Sequence, residues 1–156
     1  MDVKYINPFL LATSDIVNQV LGVAPVFEKP FIKTTPYSNA EELLVIIGVT
    51  GEMNGKVLIN IGKESCINIA SQMMGGMPVE FNELSKSAVS ELCNMILGTS
   101  ATHFASQGMS VNITSPTVLE GHNITVSQKE QVICIPINVG NEIKITVNIS
   151  TERKAA

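Results

Sequence analysis

Near the end of the chain Ile143, Ile145, Val147 and Ile149 alternate strictly with Glu142, Lys144, Thr146 and Asn148. A period of two places the first set on one face and the second on the other, so the segment reads as a strand with one buried and one wet face. Such a strand needs a sheet and a second layer over its apolar side. The preceding run, Val132 to Val139, joins it through Gly140-Asn141, a two-residue connection suited to the positive φ of a tight hairpin. Pro136 removes one ladder donor from that run and is expected at an edge or a bulge. A second hairpin is read from Leu43 to Thr50 and Lys56 to Ile61, with Asn54-Gly55 in the turn.

Helical periodicity supplies the covering layer. Asn7 to Leu21 repeats apolar residues at helical spacing, with Asn7 as expected cap, Pro8 in the first turn and Gly22 as the stop. Glu64 to Met74 is a second helix, ended by Gly75, Gly76 and Pro78. Asn82 to Gln107 contains no proline and carries Leu84, Ala88, Leu92, Met95 and Ile96 as one apolar stripe, with Asn82 or Ser85 as cap. Val23 to Lys33, broken by Pro25 and Pro30, suits a short or edge strand, and Thr34 to Glu42 a loop. Met109 to Thr114 reads as a strand that Pro116 redirects into Thr117 to Glu120, before a turn at Gly121 to Asn123. The expected fold is a two-layer α/β (α+β) sandwich: a largely antiparallel sheet of about six strands, with the first and the long helix on one face. With 156 residues, a single domain over 1–150 and a tail over 151–156 are expected.

Composition narrows the function. Nine Lys and the lone Arg153 face fourteen acids, a net charge of -4, with no Trp and only seven other aromatics. Backbone-phosphate binding and base stacking both lack their residues, so no nucleic-acid partner is expected. Cys66, Cys93 and Cys134 are odd in number and widely spaced in apolar contexts, which reads as reduced, buried thiols and neither a disulfide framework nor a metal knuckle. No stretch approaches ~18 uninterrupted apolar residues, so a soluble, cytoplasmic protein without a membrane partner is expected. His103 and His122 are the only histidines, and no nucleophile elbow, zinc-helix motif, phosphate loop or dinucleotide fingerprint is present.

One segment repeats. Asp15-Ile-Val-Asn18-Gln-Val-Leu-Gly22 aligns without gaps on Glu91-Leu-Cys-Asn94-Met-Ile-Leu-Gly98, both within helical patterns, which suggests an internal duplication and a pseudo-twofold arrangement. In the second copy Ser87, Glu91, Asn94 and Gly98 project within about 60° of one another at about 100° per residue. A helix needs a solvated side in any case, and a Glu-x2-Asn pair is common on such surfaces.

The wider pattern is more specific. Ser87-x3-Glu91-x2-Asn94, with Pro116 twenty-two positions after Asn94, resembles the active-site signature of the chemotaxis phosphatase family comprising CheC, CheX and FliY. Asn7-Pro8-Phe9, Lys29-Pro30-Phe31, Ile46-Ile47-Gly48-Val49-Thr50, Asn94-Met95-Ile96 and Pro116-Thr117-Val118 resemble the CheX branch in particular, in order and nearly throughout the chain.

The resemblance implies a CheC-like fold and hydrolysis of the aspartyl phosphate on a CheY-type receiver domain. It implies that Asn94 orients the attacking water, that Glu91 pairs with the receiver's active-site Lys, and that Ser87 assists at the rim. Gly98 shares the binding face, and Pro116 fixes the element that supports the helix. Mg²⁺ is expected from the receiver, with no cofactor of the chain's own. Asp15 and Asn18 stand as a candidate degenerate second site, with the acid one methylene shorter and no proline at the matching distance. Resemblance also implies a homodimer formed by strand pairing. The alternative is a non-catalytic adaptor that binds receiver domains or flagellar switch components.

Overall fold

The two hairpins read from the sequence lie side by side and make the middle of one sheet. Strands β4 (Leu43–Gly51) and β5 (Gly55–Ile61) pair antiparallel, as do β9 (Val132–Val139) and β10 (Ile143–Thr151), and β5 pairs with β10 between them. The registers Leu43↔Ile61, Ile61↔Ile145 and Ile145↔Ile137 bring one apolar set from all four strands onto a common face. This computed structural model describes residues 3–34, 37–39 and 42–151. Thr151 ends β10, and the rest of the expected tail, 152–156, lies outside the described residues.

Among the described residues the sheet is six lanes wide and has eight strands. Its outer lanes are each divided in two: β1 (Val26–Phe27) and β2 (Phe31–Lys33) both pair with β9, while β6 (Val111–Ile113) and β7 (Thr117–Glu120) both pair with β4. Proline marks each division, Pro30 on one side and Pro116 on the other, because a residue without an N–H interrupts the ladder. Pro136 is not at the sheet's edge as expected. It sits inside β9 opposite the gap between β1 and β2, where its carbonyl accepts the Glu28 N–H at 2.9 Å and no donor is required of it. A separate pair of short strands, β3 (Tyr37–Asn39) and β8 (Ile124–Val126), was not expected: the first lies in the segment read as a loop, of which 35–36 and 40–41 are outside the described residues. Three-residue strands carry too little periodicity to announce themselves, and their partners are distant in sequence.

Helices α1 (Asn7–Leu21), α2 (Lys63–Met73) and α3 (Glu83–Ser106) bury their apolar stripes on the common face. Asn7 does not cap α1. A 3-10 turn over Val3–Tyr5 leads in, Ile6 occupies the cap position without a side-chain bond, and Pro8 is packed in the first turn. Phe9 of α1 meets Phe104 of α3 edge-to-face, centroids 5.3 Å apart at 75°. The opposite face of β10 is exposed at Lys144 and half-buried at Thr146. Asn148 and Ser150 are buried there, and the Ser150 hydroxyl donates to Gln128 Oε1 at 3.1 Å. All three cysteines are free and buried, and burial raises each thiol above its ordinary range.

Candidate active site on helix α3

The phase of α3 is set at its start. Asn82 Oδ1 accepts the N–H groups of Leu84 and Ser85, both at 3.1 Å, and the Ser85 hydroxyl accepts the Asn82 N–H at 3.0 Å, a reciprocal capping box that uses both expected caps. From there Val89, Leu92, Cys93, Ile96, Leu97 and Phe104 face the core. The expected stripe was displaced: Leu84 is 61% exposed, and the inward row begins at the small Ser85. The capping bonds fix Ser85 inward, and Leu84, one position earlier, rotates out to solvent.

This phase leaves Ser87, Glu91, Asn94 and Gly98 exposed along one face. Leu92 and Cys93, between the acid and the amide, are 2% exposed each, so the turn carrying Glu91 and Asn94 is pinned from below. The buried Cys93 thiol is pushed up to about 12 and is a neutral packing group. Among the described residues, nothing engages the side chains of Glu91 or Asn94. A carboxylate and a carboxamide thus stand one turn apart on a rigid helix with their hydrogen-bonding capacity unused, which suits the capture of something external.

Beside Ser87 the helix borders an open cleft of about 310 Å³ lined by Glu83, Lys86, Ser87, Ser90, Val118 and Glu120. The last two residues belong to β7, so the division at Pro116 creates the cleft's second wall. Pro116 is half-buried and does not line the cleft itself. Lys86 ties the walls together: its Nζ lies 2.6 Å from Glu120 Oε2 and 2.7 Å from Glu83 Oε1, and these carboxylates, Glu120 first, raise its pKa. Sequence reasoning missed this residue. The Glu83–Lys86 spacing was visible, but nothing local pointed to Glu120.

Asp15 and Asn18 are exposed on α1 and do not join the α3 stripe. Asp15 Oδ2 lies 2.9 Å from His103 Nε2 of α3. Gly22, the glycine of this copy, has φ 73 and ends α1, its N–H donating to the Asn18 carbonyl at 3.0 Å. No group of three or more His, Cys, Asp or Glu among the described residues is placed to hold a metal ion.

The family model described as chemotaxis phosphatase CheX matches residues 43–138, a span that contains the exposed stripe, the cleft and Pro116. The chain belongs to the CheX family. The CheY-P phosphatase CheX of Thermotoga maritima is 30% identical to it, across 97% of this chain and 98% of that one. The crystal structure of a CheX from Desulfovibrio desulfuricans superposes with a TM-score of 0.81 at 28% identity, covering 94% and 97% of the two chains. A CheX–CheY–BeF3–Mg²⁺ complex from Borrelia burgdorferi contains a chain that superposes with a TM-score of 0.79 at 26% identity, covering 97% of this chain and 100% of that one. A CheC-like structure from a Shewanella species, at TM-score 0.85 and 24% identity, shares the fold, so the expected CheC-like sandwich is the architecture of this protein.

Proposed function

We propose that this CheX-family phosphatase hydrolyses the aspartyl phosphate of a CheY-type receiver domain, with Asn94 orienting the attacking water and Glu91 docking the receiver's active-site Lys. The observation that carries the reading is the pair itself: Asn94 and Glu91 exposed, unengaged by any described residue, and pinned on α3 by the buried Leu92 and Cys93. The relatives support it, one being a CheY-P phosphatase and another having been captured with CheY and Mg²⁺.

The chemistry asks little of the phosphatase. An acyl phosphate is a mixed anhydride and already activated, and in this reading the receiver supplies the Mg²⁺ and a Lys that neutralise the phosphoryl oxygens. What remains is to place a water in line with the phosphorus. A carboxamide both donates and accepts, so Asn94 can fix the orientation of that water with no proton-transfer group of its own. Glu91, one turn earlier, sets the register by charge. Ser87 and the cleft toward β7 form the rim of the docking site, and Pro116 acts through the position of β7.

The same reading places the protein in the cytoplasm with its receiver. No described helix is long and apolar enough to cross a membrane. A homodimer through strand pairing is supported by Val26 and Ile32, 64% and 60% exposed on the outer strands β1 and β2.

The test is the decay of acetyl-phosphate-labelled receiver with the parental protein and with Asn94→Ala and Glu91→Ala. Asn94→Ala should bind the phosphorylated receiver while losing about a hundredfold or more in turnover, the usual loss for a single orienting contact. Glu91→Ala should fail mainly at binding. Binding without any acceleration by the parental protein would leave an adaptor instead of an enzyme.

A further inference from the structure

Gly98 lies inside α3, a helix of 24 residues, four positions after Asn94 and on the same exposed face. A helix interior is a poor place for glycine, which surrenders more backbone freedom there than alanine does. Glycine is retained where φ is positive or where another group comes too close for a Cβ. Among the described residues neither reason applies. Gly98 continues an unbroken helix, and a Cβ built on it would meet nothing within 4 Å. The contrast with other positions is plain: Gly22, its counterpart in the first copy, has the left-handed conformation of a helix cap, and a Cβ on Gly55 would run into the Ser150 carbonyl.

We infer that the missing Cβ serves a body outside the chain: the main chain of the receiver domain presses against α3 at Gly98 while its phosphorylated pocket closes over Asn94. This rests on the function proposed above and identifies the point of closest contact. Gly98 stands about 6 Å along the helix axis from Asn94, in line with Ser87 and Glu91, so whatever engages those side chains is carried over it. A second copy of this chain is the weaker occupant: the strand edge with exposed Val26, Phe31 and Ile32 is on β1 and β2, and Leu84, the large apolar residue exposed on α3, lies in the first turn, fourteen positions before Gly98. A methyl group at position 98 would hold the receiver off the turn that orients the water, and a displacement of about 1 Å near such a site costs up to about a hundredfold in rate.

The test compares Gly98→Ala, Gly98→Leu and Asn94→Ala in receiver dephosphorylation, thermal unfolding and light scattering. Gly98→Ala should raise the unfolding midpoint by about 2–4 °C, since alanine is the better helix residue in open space. Its kcat/KM should nevertheless fall about tenfold, and that of Gly98→Leu about a hundredfold. A residue of merely structural importance would not move stability and activity in opposite directions. Parental activity in both Gly98 variants alongside an inactive Asn94→Ala overturns the role of Gly98 alone. Parental activity in Asn94→Ala overturns the proposed function and this inference together. Loss of activity in Gly98→Leu that tracks a change of oligomeric state assigns the contact to a second copy and overturns the inference.

Discussion

The His103 imidazole of α3 stands 2.9 Å from the Asp15 carboxylate of α1. The acid of the earlier repeat is therefore already committed to a partner within the chain, whereas Glu91 in the later repeat faces solvent unengaged by any described residue. The two matching segments are used differently: the acid of one makes an interhelix contact, and the acid and amide of the other stand as an exposed pair. We expect the double variant Asp15→Asn with Asn18→Ala to dephosphorylate receiver within about twofold of the parental rate, because an acid already engaged by His103 is not available to dock the receiver's Lys. A fall comparable to that of Asn94→Ala, in the same assay, would show a second working site.

Glu42 reaches across to cap α2. Its Oε2 accepts the Lys63 N–H at 2.8 Å, while Gly62 at the cap position supplies no side chain. That bond, from the Lys63 backbone, is the first cause holding the Glu42 carboxyl below its ordinary 4.5, with its own backbone N–H second. The folded value is the lower one, so the stabilisation is present above the unfolded value and is lost as pH falls through the folded value. Glu42→Ala should lose about 1 kcal/mol at neutral pH, as cap removals do. It should also show a smaller loss of stability on acidification than the parental protein. Urea unfolding at pH 7 and in the acid range, with both proteins, checks magnitude and sign.

The three thiols should be silent in the folded state. Cys66, Cys93 and Cys134 are each within 1% of complete burial or 2% exposed, and burial disfavours the reactive thiolate in all of them. Reaction with an aromatic disulfide reagent at pH 8 should be negligible in the native protein and should reach three equivalents in guanidinium, the number of cysteines in the chain. Rapid modification of one thiol without denaturant would show local opening, beneath the helices for Cys66 or Cys93 and on the opposite face of the sheet for Cys134.

Phe104 is fully buried against Phe9 and joins α1 to α3. Phe104→Ala should cost about 3–5 kcal/mol, the usual range for removing a core aromatic, and a substantial share of the ~5–15 kcal/mol that holds a domain of this kind together. Equilibrium unfolding measures it directly. A loss under ~1 kcal/mol would mean that the two helices are held by other contacts.

Periodicity and turn chemistry made much of this fold legible. The alternation through Ile143, Ile145, Val147 and Ile149, the Gly140-Asn141 turn and the Asn54-Gly55 hairpin specify the central four strands because each is a local pattern with a local cause. The three helices lie within one or two residues of their expected spans for the same reason. Legibility failed where the cause was distant. β3 and β8 are too short to signal, Pro136 is tolerated because the lane beside it breaks, and the buried Ser150 is met by Gln128, twenty-two residues away in the chain. Leu84 was placed inward because hydrophobicity alone ranks it above Ser85, while the capping geometry decides the opposite.

The candidate site divides along the same line. That Ser87, Glu91, Asn94 and Gly98 share a face follows from 3.6 residues per turn and is contained in the sequence. That this face is free, that β7 stands opposite it to form a cleft, that Lys86 closes one end through Glu120, and that Asp15 is taken by His103 are all relations between segments far apart in the chain. Helical phase is a property of neighbours along the backbone, but exposure and pairing depend on which distant surfaces arrive, and only the packed structure decides those.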